Sequence, residues 1–181
     1  MKHTMVLAVL GVLYFLSNPN ILLAGVFQSA PSEMVVLPDD GTKIAKVAFL
    51  FDLSKLRAGK NRQIDKATLE WRLNGITNEE EPPEFSVYAI TGSWTKASVM
   101  EKSALSVEET KISDWQINPM APEASEGKLI SLDVTDLVGA WANGSATNYG
   151  VIVTTTDVAS KSLDSQLGKV RLSIRYGFRS N

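Results

Sequence analysis

Lys66-Ala-Thr-Leu-Glu-Trp-Arg-Leu73 decides the fold class. Ala67, Leu69, Trp71 and Leu73 fall at every second position, and Lys66, Thr68, Glu70 and Arg72 fill the positions between. Successive side chains of an extended chain point to opposite faces, so this octet reads as a strand with one oily and one wet face. On a helix the same four apolar residues would be scattered around the circumference.

The two-residue period recurs on both sides of the octet. Upstream, Val47, Phe49, Phe51 and Leu53 share a face opposite Lys46, Ala48, Leu50 and Asp52. Downstream, Phe85, Val87 and Ala89 alternate with Ser86, Tyr88 and Ile90. Ile130, Leu132 and Val134 come next, then Val151, Val153 and Thr155. Last come Val170, Leu172, Ile174 and Tyr176 against Lys169, Arg171, Ser173 and Arg175. Such alternation marks antiparallel strands with one solvated face. Pro38-Asp-Asp-Gly41, Ala58-Gly-Lys-Asn61, Asn74-Gly75, Glu79-Glu-Glu-Pro-Pro83 and Asn143-Gly144 punctuate the strands with turn-forming residues. The pattern predicts an all-β, antiparallel two-sheet β-sandwich. Residues 44–178 form its body, and residues 25–43 form an N-terminal extension carrying a first strand.

One stretch departs from the period. Val134, Leu137, Val138 and Trp141 follow helical spacing, which predicts a short helix near 134–142 with Trp141 plugging one end of the sandwich. Asp133 or Thr135 can accept from its first-turn amides, Asp136 suits its positive end, and Asn143-Gly144 stops it. Residues 92–127 are the least regular, with room for another short helix or a brief strand around Ile112–Ile117. Trp94 opens this stretch and is read as buried.

At the amino terminus, Lys2 and His3 precede the apolar run Met5–Leu16. Ser17-Asn-Pro-Asn20 follows, then Ile21-Leu-Leu-Ala24. A short positive start, an apolar run and small residues near Ala24-Gly25 describe a cleaved signal peptide over residues 1–24. Leu22 sits where a small residue is preferred, so cleavage after Ala30 is a second candidate. The alternative is an uncleaved membrane anchor over Met5–Gly25, the one route by which this chain would meet a membrane. The expected location is outside the cell, at the cell surface or in the periplasm.

Of the 181 residues, 18 are basic and 20 acidic, a formal net charge of −2, which carries no nucleic-acid footprint. Cysteine is absent and the single histidine is His3, within the leader. That excludes Ser-His-Asp and Cys-His catalysis, and zinc sites built from nitrogen and sulfur, in the mature chain. A carboxylate pair for glycoside hydrolysis, or a Tyr or Lys base, survives the inventory without leaving a motif. No cofactor is required. Calcium is an option through the hard oxygens of Asp39, Asp40, Asp157 and Asp164, whose other reading is as solvated turn residues. Trp71 and Trp141 belong to apolar faces and read as core. Trp115, between Asp114 and Gln116, and Tyr149, between Asn148 and Gly150, stand in polar surroundings and are the candidate sugar contacts. Asn143-Gly-Ser145 is an N-glycosylation sequon, and turn formation also explains it.

Read in order, the blocks resemble a DNRLRE-type domain, a group classed with carbohydrate-binding modules of family 96. The residues that carry the resemblance are Ala48-Phe-Leu-Phe-Asp-Leu-Ser-Lys-Leu56, Ile64-Asp-Lys-Ala-Thr-Leu69, and Val87-Tyr-Ala-Ile90 leading to Trp94. Most telling are Leu132-Asp-Val-Thr-Asp-Leu-Val-Gly-Ala-Trp141 and Asn148-Tyr-Gly-Val-Ile-Val153. The resemblance spans roughly residues 44–178. It implies a jelly-roll sandwich on a secreted or cell-surface protein, with a non-catalytic binding or structural role. The chain departs from the family after Trp94, where Lys96 replaces an acid and Glu101 a second tryptophan, and no upstream strand signature is evident before Pro38. No individual binding residue carries over.

Three readings follow. The first is a secreted module binding a polysaccharide or cell-surface glycan. The second is a self-assembling structural protein of a matrix, envelope or appendage. The third is a small exported polysaccharide hydrolase or lyase.

Overall fold

In the computed structural model the alternating octet ends the longest strand among the described residues. The structure describes residues 25–38, 41–42, 44–57, 62–73, 84–101, 105–116, 128–156 and 169–178. Their elements are β1 (Gly25–Ser29), β2 (Pro31–Val36), β3 (Ile44–Phe51), α1 (Ser54–Arg57), β4 (Arg62–Leu73), β5 (Glu84–Ala89), α2 (Lys96–Met100), β6 (Ser113–Gln116), β7 (Lys128–Asp133), α3 (Thr135–Asn143), β8 (Val151–Thr156) and β9 (Arg171–Phe178).

The strands form two antiparallel sheets, ordered β1-β9-β4-β7 and β2-β3-β8-β5-β6. Only β2–β3 and β5–β6 join chain neighbours within a sheet; every other strand connection crosses between the two. Without the edge strand β2, the order β1-β9-β4-β7 over β3-β8-β5-β6 is that of two Greek keys wound into a jelly roll. The all-β two-sheet sandwich read from the alternation is the architecture observed.

The oily faces meet as predicted. Ala67, Leu69 and Trp71 of β4, Leu172 and Ile174 of β9 and Ile130 and Leu132 of β7 pack onto Val47, Phe49 and Phe51 of β3, Phe85 and Val87 of β5 and Val153 of β8. Trp71 meets Phe85 edge to face across the two sheets, with ring centroids 5.4 Å apart at 75°. Burying a side chain of this size stabilises the fold by roughly 1.5–3 kcal/mol. In β4 the register shifts between Ile64 and Lys66, a bulge that turns Ile64 toward the core while Asp65 and Lys66 are both exposed.

One end of the sandwich is closed by the two helices that follow β3 and β7. Leu56 of α1, and Val138 and Trp141 of α3, are buried in the same core, so Trp141 is the plug its spacing predicts. Gly144 ends α3 at φ 81°, a left-handed cap that favours glycine.

Two stretches differ from the sequence reading. Residues 25–36 hold two strands rather than one. β1 registers along β9, β2 registers along β3, and Ala30 alone joins them, so the chain steps from one sheet's edge to the other's. Pro31 is tolerated because it starts an edge strand. The second difference is the outer face of the five-stranded sheet, where alternation predicts water. Ala48 and Ile152 are instead buried and Leu50 and Tyr88 half-buried, beneath Ile90, Trp94, Val99, Leu105 and Val107. The irregular stretch after β5 folds back over that face. There it forms α2, whose start is a reciprocal cap: the Ser98 amide donates to Thr95 Oγ1 (3.2 Å) and the Thr95 amide to Ser98 Oγ (3.0 Å). It then bridges to β5 through Thr91 N to Ser106 O (2.8 Å) and Glu108 N to Ala89 O (2.9 Å) before forming β6.

Candidate ligand-binding face

With one outer face covered, the open face of the sandwich belongs to β1-β9-β4-β7. Its residues are the wet half of the opening octet and their registered neighbours. Gln28, Ser173, Thr68 and Asp133 form one row across all four strands. Val26, Arg175 and Lys66 form the row on one side of it; Arg171, Glu70 and Ser131 form the row on the other. Arg72 lies opposite Leu129. Arg171 Nε donates to Glu70 Oε2 (2.9 Å), Thr68 Oγ1 donates to Glu70 Oε1 (2.8 Å), and Lys66 pairs with Asp133. Arg175 stands directly opposite Lys66, a like-charge neighbour, and forms no ion pair among the described residues. Exposed aliphatics mark both margins: Val26 on β1 at 67% exposure and Leu129 on β7 at 45%.

Chemically this is an array of donors and acceptors across four strands. Exposed ion pairs of this kind add little stability, a median of about 0–1 kcal/mol, so the side chains are available to a ligand at small cost to the fold. Burial pushes the Asp133 carboxyl up. Lys66, the Thr135 hydroxyl and the Thr135 amide together outweigh that and hold it below the ordinary aspartate value.

The residues singled out in the sequence are dispersed. Trp115 and Gln116 lie in the edge strand β6, opposite Phe85 and Glu84; for these two the structure describes the backbone. Asp114 is exposed and bonded to Lys111 Nζ at 2.7 Å, which holds its carboxyl below the ordinary value. Tyr149 is half-buried against the second apolar cluster, and its carbonyl accepts from Trp94 Nε1 at 2.6 Å. Trp115 lies level with Thr155, six residues along the chain from Tyr149, so roughly 20 Å of strand separates them. They do not form one site. Asp39, Asp40, Asp157 and Asp164 lie outside the described residues. Among the described residues no three acidic or histidine side chains group as metal ligands.

The motif residues behind the family resemblance serve the fold. Asp133 Oδ1 accepts from the Thr135 amide (2.9 Å) at the start of α3, and Thr135 Oγ1 accepts from Ala67 N (3.0 Å). Asp52 repeats the turn before α1. Its Oδ1 accepts from Ser54 N at 2.9 Å, and that bond leads the causes that lower its pKa. Asn148 Nδ2 donates to Phe51 O (2.8 Å) while its Oδ1 accepts from Gly150 N (3.0 Å). Gly150 itself has φ 90°, and a Cβ there would stand 2.1 Å from Phe49 O.

Sequence reasoning did not assemble the open face. Lys66, Thr68 and Glu70 were visible as the wet half of a strand, but their neighbours Arg175, Ser173 and Gln28 come from the far ends of the chain. No helix among the described residues is long and apolar enough to cross a membrane. The chain matches no protein-family model, and no curated protein matches it.

Proposed function

We propose that this chain is an exported, non-catalytic module that binds a polysaccharide or cell-surface glycan on the open face of its four-stranded sheet. The observation that carries the reading is the pairing of a covered face with an open one. The apolar outer face of the five-stranded sheet lies under the α2 segment, while the opposite face is polar and rich in alternating donors and acceptors. An extended sugar chain presents hydroxyls of both kinds along its length and suits such a face better than a pocket. The resemblance to DNRLRE-type domains supports the same reading, because the jelly-roll order is the fold it implies.

The test is affinity electrophoresis of the folded chain through gels holding soluble polysaccharides, neutral and acidic. Retardation by at least one polymer is expected, weakened about tenfold in Arg175→Ala, in line with the loss of one charge-assisted hydrogen bond, and about three- to fivefold in Gln28→Ala, which loses a neutral one. Retardation abolished by Trp115→Ala or Tyr149→Ala, and untouched by the first two, would keep the glycan reading and reject this face. Unretarded migration in every gel would reject both. Turnover of a polymer by pure protein would instead restore the hydrolase or lyase reading.

A second reading, assembly into a surface structure, is favoured by the margins. Among the described residues β1 and β7 are the edge strands of their sheet, each with an exposed aliphatic, and such edges pair with other strands unless blocked. Concentration-dependent oligomers without glycan retention would decide for it.

A further inference from the structure

We propose that the chain is matured by hydrolysis of the Ala24–Gly25 bond, so that β1 starts at the new amino terminus. The inference rests on the export reading above. Water adds across the amide, leaving a carboxylate on Ala24 of the leader and an ammonium on Gly25 of the mature chain; the catalyst is a leader peptidase of the exporting membrane.

The sequence offers two bonds, Ala24–Gly25 and Ala30–Pro31, and the fold separates them. All five residues of β1 register with β9, from Gly25 opposite Tyr176 to Ser29 opposite Leu172, and Phe27 packs against the inter-sheet core. Gly25 is seated against Tyr176: a Cβ at Gly25 would stand 2.6 Å from the ring's Cζ and Oη, so a larger residue would displace the ring. The guanidinium of Arg62 lies 4.8 Å from that ring's centroid and donates to Leu56 O at 2.6 Å. The start of β1 is thus tied to β9, β4 and α1 together.

Cutting after Ala30 would remove the whole strand. It would uncover the backbone donors and acceptors of β9, an unpaired edge open to other strands, and take Phe27 from the core. The Ala30–Pro31 bond is also the poorer substrate by its own chemistry. Proline supplies no N–H on the leaving side and restricts the backbone of the residue before it. Glycine after Ala24 imposes neither constraint.

The experiment expresses the full 181-residue chain in a bacterial host and recovers the exported protein for amino-terminal sequencing and intact mass. The expected start is Gly25-Val-Phe-Gln-Ser29. A start at Pro31 overturns the site and leaves export standing; an exported chain that keeps residues 1–24 overturns cleavage in favour of the anchor, and a chain held uncleaved inside the cell overturns both. Ala24→Tyr is expected to block processing, and Ala30→Tyr to leave the start at Gly25; the reverse pattern overturns the proposal. A chain made to begin at Pro31 is expected to melt at a lower temperature and lose monomer to association. An unchanged melt would reject the role given to β1.

Discussion

Trp94 offers the sharpest test of how the second apolar cluster is held. Its indole is 9% exposed, sits among Ile90, Val99, Ile152 and Val35, and donates to Tyr149 O at 2.6 Å. Trp94→Phe keeps a ring in place and removes the donor, which costs about 1–2 kcal/mol when a carbonyl is left without its partner. For a chain of this size 1 kcal/mol shifts the midpoint by about 2–4 °C, so Trp94→Phe should melt about 2–8 °C lower. Trp94→Ala also removes the ring, a loss of about 3–5 kcal/mol in a packed site. The cluster lies outside the inter-sheet core, so part of that loss is local. The amides of Thr91 and Glu108, which bond Ser106 O and Ala89 O, should then exchange far faster with solvent, while those of Leu69 and Ile174 keep their rank among the slowest. Melting followed by near-ultraviolet circular dichroism, with hydrogen exchange read by mass spectrometry, measures both. A Trp94→Phe melt identical to the parent, or uniform loss of protection across both sheets in Trp94→Ala, would refute the account of a separately anchored cover.

Two further outcomes follow from the turns at the helical end. Gly150→Ala places a Cβ against Phe49 O in a backbone conformation that other residues resist, and should cost at least about 2–3 kcal/mol in denaturant unfolding; a loss under 1 kcal/mol would show that the β3–β8 approach is slack. Asp133 has a folded pKa below that of the unfolded chain, so its contribution is present above pH about 4 and fades as pH falls through the lower folded value. Asp133→Asn should flatten the stability curve in that acid window and leave its slope near neutrality unchanged, as pH-dependent unfolding would record.

The strands that were legible in sequence are those whose two faces meet different solvents. Ala67, Leu69 and Trp71 against Thr68, Glu70 and Arg72 reproduce the two faces of β4 residue by residue, and Trp141 falls in the core because its spacing matched a helix closing an end. The wet face assigned to β3 failed for a reason already in the letters: Ala48 and Leu50 are apolar, and both faces of that strand are covered. Residues 25–43 read as one strand where β1 and β2 both lie, because short edge strands carry only half a pattern and Ala30-Pro31 resembles loop more than strand. The candidate face was legible only strand by strand. Placing Arg175 beside Lys66 depends on β9 pairing with β4, a register that no local period specifies.

The two functional readings are less opposed than they look, because the open face sets a ceiling on single-site binding. It is polar and already satisfied in part by Arg171–Glu70 and Lys66–Asp133, so a sugar chain lying on it displaces water from polar groups and gains little apolar burial. One copy would hold its ligand weakly. A polymer repeats its units, however, and copies fixed side by side would engage many of them, raising overall avidity 10²–10⁴-fold in typical linked systems without any new contact. The margins that would set copies side by side are those where Val26 and Leu129 stand exposed, on either side of the same face. Edge pairing and glycan binding then reinforce each other: the Val26→Lys variant, which places a charge on the β1 edge, should weaken retardation on polysaccharide gels only where the parent protein is concentrated enough to associate. Equal weakening in dilute and concentrated protein would place Val26 in the sugar contact itself and separate the two activities.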